Sequence, residues 1–260
     1  MSDKIEKMEA FGRLLDVMDE LREKCPWDRE QSIESLRNLT IEETYELADA
    51  IIEDDMEGIR EELGDILLHI VFYAKIGDEK NEFDITDVIN GINKKLIFRH
   101  PHVFGERKVS GSNEVVSNWE ELKIEEGNGK KTVLGGVPKS LPALIKAHRI
   151  QDKARAVGFD WADKNDIWDK VDEEIAEVKN ELKSGQNDLL ESEFGDLLFS
   201  IVNAARLFNI EPETALERTN KKFIRRFNYI EEQAKKTNRN ASDLELEEMD
   251  KFWEEAKKGE

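Results

Sequence analysis

Apolar positions recur at helical spacing along most of the chain. Between residues 9 and 23, Phe11, Leu14, Leu15, Met18 and Leu21 fall on one side of a 3.6-residue period, with charges on the other. The same texture predicts helices from Thr40 to about Ile52, from about Ile59 to Ile76, over 85–98 and around Trp119. Thr40, with Glu43 three residues on, reads as a capping box opening the first of these. Asp54, Asp55 and Gly58 separate it from the second. Residues 127–142 hold four glycines and two prolines and read as a linker. Helical spacing then resumes over 143–156, 167–183, 188–208, 212–236 and 243–257. No segment alternates as a strand does, so the predicted class is all-α.

The pattern also repeats. EELGDILLH at residues 61–69 returns as ESEFGDLLF at 191–199. A shift of 131 residues carries Glu42, Glu43 and Glu46 onto Glu173, Glu174 and Glu177, and Glu62, Gly64 and Asp65 onto Glu193, Gly195 and Asp196. At slightly different offsets, Asn93-Lys94-Lys95 matches Asn220-Lys221-Lys222, and Trp119-Glu120-Glu121 matches Trp253-Glu254-Glu255. Each half opens with a Trp-containing turn, at Pro26-Trp27-Asp28 and at Phe159-Asp160-Trp161. Two divergent copies of one helical domain are expected, over 1–126 and 143–260.

A core stripe accounts for the leucines of these repeats and leaves the acids unexplained. Glu174 and Glu177 are three apart on one predicted helix, as Glu193 and Asp196 are on the next. The pairs 174/196 and 177/193 share the midpoint 185, a glycine in turn-forming sequence. An antiparallel hairpin there brings four carboxylates together. Glu43, Glu46, Glu62 and Asp65 do the same about residue 54. Like charges so placed repel, and a divalent cation offsets that repulsion. The ligands are hard oxygens without His or Cys, which points to Mg²⁺, or Mn²⁺, over zinc. The Glu-x-x-His pattern of di-iron bundles is missing. Downstream, Lys222, Arg225 and Arg226 form a basic cluster suited to a phosphate chain, and Trp253 suits a base.

Composition narrows the field further. The formal net charge of −20 argues against a nucleic-acid binder, whose footprint is basic. The one cysteine, Cys25, forms no intrachain disulfide and reads as a packing residue, in keeping with a reducing cytoplasm. Charges occupy the N-terminal stretch where a secretory leader is apolar, and no apolar run approaches the roughly 20 residues of a membrane span.

The acidic stretches, with CPWD (25–28), RHPHVFG (99–105), SLPAL (140–144), VGFDW (157–161) and KFIRRF (222–227), resemble the MazG family of nucleoside triphosphate pyrophosphohydrolases over nearly the whole chain. The resemblance implies tandem helical bundles of the all-α NTP pyrophosphohydrolase superfamily, a homodimer, and Mg²⁺-dependent hydrolysis of nucleoside triphosphates between the α and β phosphates. By that resemblance Glu174, Glu177, Glu193 and Asp196 are metal ligands and catalytic residues. Lys222, Arg225 and Arg226 hold phosphates, Trp253 contacts the nucleotide, and Lys170 joins the same pocket. Glu173 or Glu177 is the expected general base. The C-terminal copy is expected to be the main active site. In the first copy Phe98 replaces Arg225, and His100-Pro101 cuts the corresponding helix short. The alternatives are a non-catalytic nucleotide- or metal-sensing scaffold and a narrower dUTP or phosphoribosyl-ATP pyrophosphohydrolase.

Overall fold

A computed structural model describes residues 2–111, 114–115, 118–119, 122 and 132–259. Among them there is no strand. The chain divides into two compact units, Met1–Ser110 and Gly111–Glu260.

The first unit holds α1 (Ser2–Lys24), α2 (Pro26–Glu30), α3 (Ile33–Glu53), α4 (Met56–Glu79), α5 (Ile85–Arg99) and the short α6 (Pro101–Phe104). Its core is built from the predicted stripe. Met18 and Leu36 pack with Val71, Phe72 and Ile76, flanked by Phe11, Leu14, Leu15 and Leu68. The predicted start of α3 is wrong. Ser32 caps that helix in a reciprocal box with Ser35, so Thr40 lies inside it. The Thr40 hydroxyl donates to the Leu36 carbonyl at 3.0 Å and pairs with the Tyr73 hydroxyl at 2.8 Å. A threonine mid-helix satisfies itself on the preceding turn, and Glu43 is thereby released from any capping role. Asp54 turns the chain in the left-handed region (φ 56°), which aspartate tolerates. Asp55 then caps α4 by accepting from the Glu57 and Gly58 amides. As expected from His100-Pro101, α5 stops at Arg99.

The second unit holds α7 (Ala143–Ala156), α8 (Ile167–Ser184), α9 (Asn187–Leu207), α10 (Pro212–Lys236) and α11 (Leu246–Lys258). Helices α8 and α9 form a hairpin, as α3 and α4 do. Gly185 closes α8 at φ +74°, a conformation glycine adopts without the steric penalty of a Cβ. Short 3₁₀ turns occupy Val133–Gly136, inside the predicted linker, and Ala241–Asp243, so the last helix begins later than predicted. Trp119 is helical as expected; most of the helix predicted around it lies outside the described residues. No described helix is long and apolar enough to cross a membrane.

Candidate active site

Helix α8 presents Lys170, Glu174 and Glu177 at spacings of four and three, and therefore on one face. Helix α9 faces it with Glu193 and, one turn on, Asp196. The hairpin brings one carboxylate oxygen each from Glu174, Glu177 and Glu193 within 4.8 Å of one another. Asp196 is exposed and stands outside that triad, although it lines the same cavity.

That cavity has a volume of about 990 Å³. The acids and Lys170 line one part of it. The rest is lined by α7, the 159–162 turn and the second half of α9, through Gln151, Phe159, Asp160, Trp161, Phe199, Asn203 and Arg206. Asp160 and Arg206 form a bidentate pair at 2.5 and 3.2 Å, which ties the Trp161 turn to α9. Burial alone pushes the Asp160 carboxyl up. The Arg206 guanidinium and the Trp161 amide outweigh this and hold it below the usual range.

Glu174 is only 5% exposed. Its Oε1 meets Lys170 Nζ at 2.8 Å, while its Oε2 is buried with no hydrogen-bond partner. A buried carboxylate oxygen without a donor is costly, and a cation at the triad supplies what is missing. Lys170 also reaches Glu173 at 3.0 Å. These two hydrogen bonds, to Glu174 first, raise its pKa and keep it charged. The Glu177 carboxyl is pushed up by loss of water, by its hydrogen bond to Glu174, and by the charges of Glu174, Glu193 and Glu173.

The first unit repeats the arrangement. Glu43, Glu62 and Asp65 converge within 4.8 Å, and Glu62 Oε2 is likewise buried and unpartnered. Glu46 lies outside this triad, and its charge still raises Glu43 and Glu62, after burial in both cases. One turn beyond Asp65, where α9 has Ser200, stands buried His69. Burial lowers its pKa against the pull of Asp65. The i, i+4 spacing of Asp65 and His69 was the available signal for it.

The basic cluster is placed elsewhere. Lys222 and Arg225 are exposed on α10. Arg226 Cζ lies 5.3 Å from the Trp253 ring centroid, and Phe223 packs on the same indole at 5.0 Å. None of Lys222, Arg225, Arg226 and Trp253 lines the cavity of its own chain. Pattern reading also missed Gln151, Asn203 and Arg206, because isolated polar residues on amphipathic helices carry no motif.

Two helical hairpins, each converging three carboxylates within 4.8 Å of one another, define a duplicated all-α protein with one acidic cluster in each copy. Comparison with known proteins agrees with this class and refines it. The model of the MazG nucleotide pyrophosphohydrolase domain matches residues 31–104 and again 164–230. The nucleoside triphosphate pyrophosphohydrolase/pyrophosphatase MazG of Thermotoga maritima is 45% identical over 252 residues, 96% of each chain. The nucleoside triphosphate pyrophosphohydrolase of Escherichia coli K12 is 42% identical over 97% of this chain and 99% of its own. The uncharacterized protein YabN of Bacillus subtilis is 49% identical over 96% of this chain and 52% of its own. The chain belongs to the MazG nucleotide pyrophosphohydrolase family.

Proposed function

We propose that the chain is a Mg²⁺-dependent nucleoside triphosphate pyrophosphohydrolase that releases a nucleoside monophosphate and pyrophosphate. The observation that carries this reading is the triad of Glu174, Glu177 and Glu193 at one end of a cavity of nucleotide size. Glu174, Glu177 and Glu193 would hold the cation, with Asp196 at their margin. A divalent cation, Mg²⁺ or Mn²⁺, held there would supply positive charge to phosphate oxygens and lower the pKa of a water molecule. Lys170 fixes Glu174 and adds a permanent positive charge beside the phosphates. Glu177 and Glu173 are the candidate bases to take a proton from the attacking water.

Functionally, the C-terminal repeat (143–260, after the 127–142 linker) is assigned the main reaction. The N-terminal repeat (1–126), with Glu43, Glu46, Glu62 and Asp65, is assigned a weak or structural role. Lys222, Arg225, Arg226 and Trp253 stand outside the cavity in a single chain. Their proposed role in phosphate and nucleotide binding therefore requires the second copy of a homodimer. An exposed apolar stripe on the second helix of each hairpin supports such a dimer: Leu63, Leu67 and Ile70, repeated as Phe194, Leu198 and Ile201. The charge of −20 supports a protein that binds no nucleic acid, and the setting proposed is the cytoplasm.

The test is product analysis by anion exchange after incubation with each nucleoside triphosphate, with Mg²⁺ or EDTA. Monophosphate plus pyrophosphate, lost with EDTA and with Glu193→Gln, is expected. Glu62→Gln then reports on the first copy. Nucleotide binding without any turnover would favour the sensing scaffold instead.

A further inference from the structure

The cavity has a polar part that the carboxylates and Lys170 do not use. Gln151 is 6% exposed. Its Nε2 donates to the Phe199 carbonyl at 2.8 Å, which fixes the orientation of the amide. Its Oε1 is left buried and without a partner, although Gln151 lines the cavity. One turn beyond Phe199, Asn203 is oriented in the same way. Its Oδ1 accepts from Arg206 Nε at 3.0 Å and Nη2 at 2.8 Å. The Asn203 Nδ2 donor is what remains. The wall of the cavity therefore carries a buried acceptor and a donor, each held in its orientation by a bond on the other side of its amide.

The duplication supplies a control. Setting Arg22 on Arg155 aligns Met18 with Gln151, and the shift of 131 aligns Phe72 with Asn203 and Leu68 with Phe199. In the first unit Met18 and Phe72 are 1% and 2% exposed and pack together in the core, with Leu68 against them. The same positions of one fold are filled with apolar volume in one copy and opened to polar amides in the other. A buried amide oxygen with no donor destabilises a fold, so the packing of the second unit does not explain Gln151.

We propose that Gln151 and Asn203 are base-binding residues that hydrogen-bond the edge of a nucleobase, while Trp161 offers its ring to the base face. Every nucleobase presents a donor beside an acceptor on its pairing edge, which Gln151 Oε1 and Asn203 Nδ2 complement. Phosphate groups offer only acceptors at neutral pH and do not satisfy Gln151 Oε1. The inference rests on the pyrophosphohydrolase reading for the orientation of the substrate, with its phosphates at the triad and its base at Gln151.

The experiment is calorimetric titration of the full chain with nucleoside monophosphates carrying each base, and with ribose 5-phosphate and tripolyphosphate as probes without a base. Gln151→Met, the residue of the first copy, removes the acceptor. Asn203→Leu removes the donor without adding a charge that would repel phosphate, and Arg206 keeps its pair with Asp160. Each variant is expected to weaken monophosphate binding by about tenfold, the worth of one hydrogen bond to a buried partner, and to leave tripolyphosphate affinity unchanged. Either variant alone carries the test if the other fails to fold. Monophosphates that bind the wild type no better than ribose 5-phosphate, or variants that weaken tripolyphosphate equally, would overturn the assignment. Monophosphate binding that depends on Gln151, in a protein that hydrolyses no triphosphate, would sustain the base site and remove the enzymatic reading.

Discussion

Replacing Glu193 by Gln should stabilise the metal-free second unit and remove that unit's response to metal, leaving any response of the Glu43, Glu62 and Asp65 triad in the first unit. Glu193 and Glu174 bring carboxylate oxygens within 4.8 Å of each other. Two unit charges at that distance repel by about 0.9 kcal/mol in a water-like medium and about 3.5 kcal/mol at an effective dielectric constant of about 20. Lys170 offsets part of this at Glu174 Oε1, from 2.8 Å. The lower end, about 1 kcal/mol, is therefore the expected gain, or about 2–4 °C in Tm for a chain of this size. Metal reverses the order. At a concentration about 100 times its Kd, a cation stabilises the wild type by about 2.7 kcal/mol, and a neutral amide in the triad forfeits most of that. Differential scanning calorimetry of both proteins in EDTA and in Mg²⁺ checks the crossing. A variant that melts with or below the wild type in EDTA and gains equally from Mg²⁺ would refute the triad as a cation site.

Without metal, and in a His69→Asn background that removes the opposing titration of the buried, lowered His69, stability should rise as the pH falls from neutrality toward the ordinary glutamate range. The raised Glu43, Glu62 and Glu177 carboxyls take up protons in the folded chain before the unfolded one does. Their contribution is complete below the ordinary range and lost as pH climbs through the raised values. Melting curves against pH in EDTA check this, and a flat or opposite slope in that window counts against it. Lys170→Met leaves nearly buried Glu174 without its counter-ion. It should lower stability by about 1–3 kcal/mol and turnover by at least about tenfold. Denaturant unfolding and steady-state kinetics test the two parts separately. Mixing inactive Glu193→Gln and Lys222→Ala chains should restore about a quarter of wild-type activity, because half the dimers then carry one intact site of two. No recovery after subunit exchange would place acids and basic cluster in the service of the same chain or exclude Lys222 altogether.

Helix class, duplication and both acid sets were legible because each has a period. Apolar residues at 3.6 mark a helix, and a shift of 131 residues superimposes two patterns. A shared midpoint pairs residues across a hairpin. The start of α3 was less legible, because Thr40 and Glu43 have a capping-box spacing that a continuous helix also produces. Only the tertiary structure decided which three acids of each four converge, since that depends on how the two helices of a hairpin face one another and not on spacing alone. It also separated Lys222, Arg225, Arg226 and Trp253 from the acids that sequence logic grouped with them. Gln151 and Asn203 lay beyond any pattern. Sequence supplies an amide at each position, but which of its two polar atoms is left over is decided by the Phe199 carbonyl and the Arg206 guanidinium packed against it. The chain by itself determined that paired carboxylates would meet on helical hairpins. Packing decided what the remaining cavity is shaped to receive, because a hydrogen-bond partner distant in sequence orients each group that faces it.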